Sequence, residues 1–438
     1  MVVPLRCRLW PVSGTTALAA LLSAVLVAAN SSTANAASQP SAPVADPAPL
    51  TREQLEDIAL RHNPTLVQAA MRVRAARAQW VQTGLPPNPT IGYSGEEIGA
   101  DGHAGQQGAF VSQEIVTAGK LRLNRAIASH ETQQAQDAWE AQRQRVLNDV
   151  RAGFSDVLAA QQEVVLFGQL VDIATEAAKA AEMLVENKEA SRVDLLQARI
   201  EADSARLQLQ TAQNRHLAAW RRLAATLGAS DIGCPTLAGD LDSGWPELTW
   251  EATVQRLLSE SPQLAQARSG VARARCFVSR QCAERVPNLE LRVGLAHDNY
   301  SGRDITNVEL GLPLPLLNRN QGNIARAQAE LAAAEAEVRR LELALQERLA
   351  ARFQQYATAR QQVERYRSEM LPSARESMEL VRQGYRLGEF NYQALLLAQR
   401  TYFQTNLAHL ESQRQLRISV IVIEGLLLTG GLEPPASP

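Results

Sequence analysis

Two histidines, His103 and His297, stand in short segments rich in Gly, Asp, Asn and Ser, between runs of alternating apolar residues. An imidazole at such a strand connection can take a divalent metal. A stable metal site needs several donors, and neither histidine has Cys, Asp or Glu partners at ligand spacing. They are candidates for transient metal contact only, and no resident metal or other cofactor is expected. His62, His130, His216 and His409 are scattered over helical stretches and read as surface or packing residues. Beyond the leader three cysteines remain, Cys234, Cys276 and Cys282. An odd number in an exported chain is a poor disulfide framework, and these are expected to be packing residues. The sequence holds no phosphate-binding Walker loop, Gly-rich dinucleotide turn, HExxH or nucleophile elbow. Enzymatic chemistry is not expected, so the question becomes what the elements build.

The chain repeats itself after about 200 residues. Leu50-Thr51 leads to Asn63-Pro64-Thr65-Leu66; Leu248-Thr249 leads, at the same internal spacing, to Ser261-Pro262-Gln263-Leu264. Pro87-Asn88 recurs as Pro287-Asn288, and Leu195-Leu196-Gln197-Ala198 as Leu395-Leu396-Leu397-Ala398. A period this long is a duplicated structural half rather than a solenoid unit. The expected division is a first repeat over 50–228, a linker over 229–247, a second repeat over 248–430 and a tail over 431–438.

Apolar residues make up 45% of the chain, aromatics only 5%, and the net charge is −2. This is a composition for long helices in coiled-coil contact, and it excludes a generally basic nucleic-acid-binding surface. Arg6 and Arg8, the apolar run 16–29 and Ala34-Asn35-Ala36 read as a signal peptide over 1–36. An Ala/Pro/Ser-rich lead-in follows over 37–49. No later stretch is expected to cross a bilayer as a helix, which needs ~20 apolar residues.

Helices are expected at about 51–61 and 64–82, then from Lys120 to Val185, with a turn at 187–191 and a return to Leu227. The second half repeats the order, with a helix from Gln321 to Gln383, a turn at 384–390 and a return to Thr429. Ile324, Leu331, Val338 and Leu345 recur at sevens; after a four-residue shift, Leu349, Tyr356, Val363 and Met370 continue. Such a stutter locally unwinds a left-handed supercoil. Strands are expected at about 90–98, 107–116, 289–296 and 306–314. Leu289, Leu291, Val293 and Leu295, then Val308, Leu310 and Leu312, alternate with polar or small residues. Period-two alternation of this length suits a membrane barrel strand with these residues facing lipid. The first-half strands alternate only partly. Four strands cannot close a barrel, and lipid forbids open edges, so several copies would have to contribute.

Together these features resemble the outer membrane efflux protein family, the TolC-like channels, over about 50–430. Gln113-Glu114-Ile115-Val116-Thr117-Ala118-Gly119-Lys120 and the segment Leu314-Pro315-Leu316-Leu317-Asn318-Arg319-Asn320-Gln321-Gly322-Asn323 look most like its heavy-metal-resistance, CzcC-like branch. The resemblance implies an α+β membrane protein and a homotrimer. Long antiparallel coiled-coil helices would form a periplasmic α-barrel, and four strands per chain would enter one twelve-stranded barrel in outer-membrane lipid. It implies helical tips at Asn187, Lys188 and Ser191 and at Gly384 and Gly388. Those tips would meet a periplasmic adaptor, itself joined to an inner-membrane RND pump that expels cobalt, zinc, cadmium or nickel type cations. It also implies a gate just after the tip turn. Asp194 matches that position, while Ala394, Gln197 and Leu397 depart from the acidic pattern. The alternatives are the same channel serving drugs, solvents or type I protein secretion, and a pore-less periplasmic coiled-coil scaffold.

Overall fold

The computed structural model describes residues 49–434, apart from 103, 189–190, 230–231, 243 and 388, and they lie within one compact unit spanning 47–438. The leader, most of the lead-in, His103, Gly388 and residues 435–438 lie outside the described residues.

Each repeat opens with two short helices. In the first, α1 (Arg52–His62) starts at a reciprocal cap: Thr51 Oγ1 accepts the Gln54 N–H, and the Gln54 side chain accepts the Thr51 N–H at 2.9 Å. Asn63 then caps α2 (Pro64–Gln82), accepting the Thr65 N–H at 2.9 Å and donating to the Thr226 carbonyl at 2.8 Å. Pro64 at the first position loses only an N–H that would lack a helical partner anyway. The second repeat has α5 (Trp250–Glu260) and α6 (Pro262–Ala283) in the same places. Here Ser261 replaces Asn63, and among the described residues its buried hydroxyl makes no hydrogen bond, because a serine is too short to repeat the two-sided bridge.

In the first repeat α2 leads to β1 (Thr90–Glu96) and β2 (Gln106–Ile115). In the second, α6 leads to β3 (Leu289–Asp298) and β4 (Arg303–Gly311). The last strand begins and ends three residues before its expected bounds. Its ladder with β3 closes at Glu290–Gly311, just before Pro313, whose missing N–H cannot extend it.

From the sheet run the long hairpins. The 67-residue α3 (Lys120–Glu186) is about 100 Å long by helical rise and returns as α4 (Arg192–Leu227). The second hairpin departs from a continuous helix at Pro372. An α-helix, α7 (Gln321–Arg365), gives way to one wide π-type turn over Tyr366–Met370, after which α8 (Leu371–Arg386) resumes. Pro372 has no N–H for the carbonyl four residues back and its ring crowds that carbonyl. The wide turn, in which the Leu371 N–H bonds Tyr366, makes room. The heptad seam follows: Leu345, Leu349, Tyr356 and Val363 are buried, while Met370, inside the wide turn, is exposed.

The return helix α9 (Tyr392–Glu424) stops five residues before the expected end at Thr429. Leu426 and Leu427 take left-handed φ of 58° and 60°, and the buried Asn148 amide donates to the carbonyls of Gly425 (2.9 Å) and Leu428 (2.7 Å). A long-range amide therefore ends this helix, although Leu426–Leu428 are buried apolar residues that helix periodicity alone would have continued.

Each repeat carries its own core. Val146, Val150, Phe154, Trp220 and Leu223 pack with Leu55 and the linker residues Leu237 and Leu241. Leu345, Leu349, Tyr356, Leu416 and Val420 pack with Leu257 and Leu264. The linker is fastened rather than loose, since the Leu50 N–H bonds the Thr236 carbonyl at 3.1 Å and the Ala238 N–H bonds that of Leu50 at 3.0 Å. Towards the first tip the packing thins to alanine layers: Ala174 with Ala202 and Ala205, then Ala181 with Ala198.

Two expectations need correction. Cys234 and Cys282 are exposed rather than packed, one in the linker and one in the last turn of α6, and only Cys276 is partly buried. The expectation that no helix beyond the leader could cross a bilayer was also too strict, because one 18-residue window of α3 passes by length and composition. Its helix is an element of the protein core, with Val146, Val150 and Val157 wholly buried.

Candidate functional site: an open sheet and a pair of helical tips

The four strands form one antiparallel sheet in the order β1-β2-β3-β4, so strands of the two repeats meet at its centre, with β1 and β4 left as edges. The register places residues in rows. Ile91, Val111, Val293 and Val308 form one row; Tyr93, Ala109, Leu295 and Thr306 form the next; Leu291 pairs with Leu310, and Leu289 with Ile115. All these residues share one face. It is uncovered: Ile91 is 78% exposed, Leu295 66%, and Val308 68%. Leu312 lies just past the end of β4 and is also exposed.

The opposite face carries Thr90, Ser112, Arg292 and Glu309 in one row, and Phe110 with Asn307 in the next. Phe110 lies under the Arg292 guanidinium at 3.7 Å, a cation–π contact that holds the charge over the polar face. A Cβ at Gly92 would come within 2.4 Å of the Phe110 ring, so a larger residue there would have to push that ring aside. This explains why alternation in the first-half strands looked partial. The opposing face holds Gly92 and Gly108 beside its polar residues, while Gly95 of β1 and Gln107 and Gln113 of β2 interrupt the apolar face.

An uncovered apolar sheet face of ten or so residues is an interaction surface. With a polar second face and two unpaired edges, it suits a section of a barrel wall between lipid and water. At the top of the sheet His297 Nδ1 lies 2.9 Å from Asp304 Oδ1, its cross-strand partner. The structure brings no further donor to it: among the described residues no three His, Cys, Asp or Glu side chains group to hold a metal.

Where sheet meets helices, Lys120 is buried, with Nζ 2.7 Å from Asn288 Oδ1 and 3.8 Å from the Glu284 carboxylate. The Thr117 hydroxyl donates to the Pro287 carbonyl at 2.6 Å. These bonds stitch the end of β2 to the start of β3, which fixes the sheet relative to both hairpins.

At the far ends lie the tips. Asn187 caps α3, Lys188 takes a left-handed φ of 63°, and Ser191 caps α4. Ser191 Oγ accepts the N–H groups of Val193 (3.1 Å) and Asp194 (3.3 Å), and Asp194 accepts the Ser191 N–H at 3.4 Å. Asp194 therefore has a local task as the third residue of a capping box. In the second tip Asn391 does the capping, accepting the Ala394 N–H at 2.9 Å, so no carboxylate is needed there. Gly384, a residue of the expected tip, sits inside α8 without left-handed φ. The Phe390 ring lies against it, and a Cβ would approach that ring to 2.3 Å.

Between the hairpins is a feature that sequence reading missed. The Arg400 guanidinium on α9 grips the Glu201 carboxylate on α4 with two bonds, 3.1 and 2.6 Å. Tyr392 sits nearby, edge-on to Tyr385 at 6.4 Å. Burial, aided by the Glu201 charge, pushes its phenol up to about 12. Lower down, Arg414 on α9 holds Asp156 on α3 at 2.7 Å and Glu411 on its own helix. Its guanidinium is held above its ordinary value, first by Glu411 and then by Asp156, against a burial penalty. Partners 199 residues apart leave no local signal; only aligning the two repeats puts Glu201 and Arg400 near equivalent heights.

Comparison with known proteins agrees with this geometry. The profile described as "Outer membrane efflux protein" matches residues 55–229 and again 253–427, one match per repeat. The chain is 27% identical over 366 residues, 83% of its length and 86% of the relative's, to the cobalt-zinc-cadmium resistance protein CzcC of Cupriavidus metallidurans. Its fold is that of solved outer-membrane channels. OprN superposes with a TM-score of 0.73 at 18% identity, covering 87% of this chain and 91% of that one. CusC gives 0.72 at 17%, covering 86% and 92%. VceC of Vibrio cholerae gives 0.71 at 17%, covering 86% and 96%. Matched twice and along most of its length, this chain belongs to the outer membrane efflux protein family, whose members are channels of the outer membrane.

Proposed function

We propose that the protein is the outer-membrane conduit of a tripartite efflux system and passes divalent heavy-metal cations to the exterior. Family members form trimers and work with a periplasmic adaptor and an inner-membrane pump. The observation that carries the reading is the open sheet: an exposed apolar face in register across all four strands, bounded by two unpaired edges. In lipid those edges must be paired. Three copies joined β4 to β1 would supply twelve strands, and the apolar face would turn to lipid while Arg292, Glu309 and Asn307 turn to water. The helical hairpins would then be the periplasmic tunnel. The first tip (Asn187, Lys188, Ser191) and the second (Gly384, Gly388) would be the surfaces an adaptor meets, and Asp194 would lie near the gate. A conduit of this kind performs no chemistry. It supplies a wet path, and the pump supplies the energy.

The cation cargo rests on the likeness to the cobalt-zinc-cadmium resistance protein, which runs through both repeats. Deleting the gene and measuring growth against graded cobalt, zinc, cadmium and nickel, beside a drug panel, tests it. Loss of tolerance to one or more of the metals with drug tolerance unchanged is the expected outcome. Sensitivity to drugs alone would remove the metal assignment and leave the channel.

A further inference from the structure

A cavity of about 450 Å³ lies between the two hairpins, walled by α3, α4 and α9. Phe167 and Leu170 of α3 and Phe403 of α9 give it apolar walls, and Phe167 and Phe403 are only 7% and 4% exposed. The Glu201–Arg400 pair lines it as well. Gln399 lines it too; its amide makes no hydrogen bond among the described residues and is open to the cavity, so it is free to meet an occupant there. Ser204 on α4 stands at the cavity with its hydroxyl equally unbonded among the described residues.

We propose that this cavity binds a small, neutral, amphipathic molecule with an aromatic or apolar body and a single hydrogen-bonding head. The volume falls in the range of roughly 300–1,000 Å³ usual for small-molecule sites. The body would lie between Phe167 and Phe403, and the head would reach the Gln399 amide, which can both donate and accept. The charges at the cavity argue against an ionic ligand, because Arg400 already meets Glu201 through two short bonds. The occupant would touch both hairpins at once and brace α9 against α3 and α4 beside the clasp.

The test uses the mature full-length protein in lipid nanodiscs and N-phenyl-1-naphthylamine, a neutral aromatic amine that brightens when desolvated, with empty discs subtracted. Saturable binding to the native protein is expected. Gln399→Leu, of similar volume but without the amide, should bind about tenfold more weakly. Ser204→Trp, which fills the cavity from its rim, should abolish saturable binding. No saturable signal above empty discs, or equal binding by native protein and Gln399→Leu, would overturn the proposal. Gln399→Leu decides the matter alone if Ser204→Trp does not assemble.

Discussion

Asn148 does more for this fold than its side chain suggests. It is 1% exposed, and its amide donates to two carbonyls of a turn in which Leu426 and Leu427 are held at left-handed φ. Beside it, Asp149 accepts the N–H groups of Gly430 (3.3 Å) and Gly431 (2.6 Å). Asn148→Ala would leave the buried Leu428 carbonyl unpaired and strip one of two bonds from that of Gly425, in an already strained turn. Stability should fall by about 2–4 kcal/mol, seen as a lower midpoint of thermal unfolding. Two histidines set a pH dependence. His216 and His409 are both held below the ordinary value of 6.5, foremost by burial. Around His409, the Asp242 charge pulls upward, the Arg367 charge pulls downward, and Tyr366 packs on the ring at 6.1 Å. A folded value below the unfolded one gives stability that is full above 6.5 and lost as pH falls through the folded values. Thermal midpoints should therefore drop between pH 7.5 and 5.5, and His409→Gln should shrink that drop.

At the scale of elements, sequence patterns showed most of the helices and strands, because period and punctuation are local. The capped starts at Thr51 and Ser191, the prolines at 64 and 262 and the alternation from Leu289 onward all act over a few residues. What escaped was decided at a distance. The end of α9 depends on an amide some 280 residues away. The clasp between Glu201 and Arg400 joins different repeats. The π-type turn at Tyr366 was a local matter, but it required reading Pro372 as an interruption within the helix. The sheet gives the sharpest test at this scale, since neighbouring residues of β4 face opposite ways. Val308→Arg would set a charge on the apolar face, at a cost of about 2–4 kcal/mol per chain if that face meets the middle of a bilayer. Asn307→Arg puts the same charge on the polar face. Quantifying folded protein in outer-membrane fractions should show severe loss for Val308→Arg and near-native levels for Asn307→Arg. Equal levels would mean that the two faces do not see different solvents.

For the whole molecule, duplication is what makes four strands per chain possible. Each repeat supplies one strand hairpin and one helical hairpin, and the two strand hairpins pair through β2 and β3 into one sheet. The sheet is still open, with β1 and β4 unpaired, and a bilayer does not tolerate such edges. The account therefore stands on the chain being completed by copies of itself. Native mass spectrometry of the mature protein, extracted from outer membranes in mild detergent, measures this directly. A species of three chains, released only by detergent, is the predicted result; a single chain recovered in the aqueous fraction without detergent would contradict it.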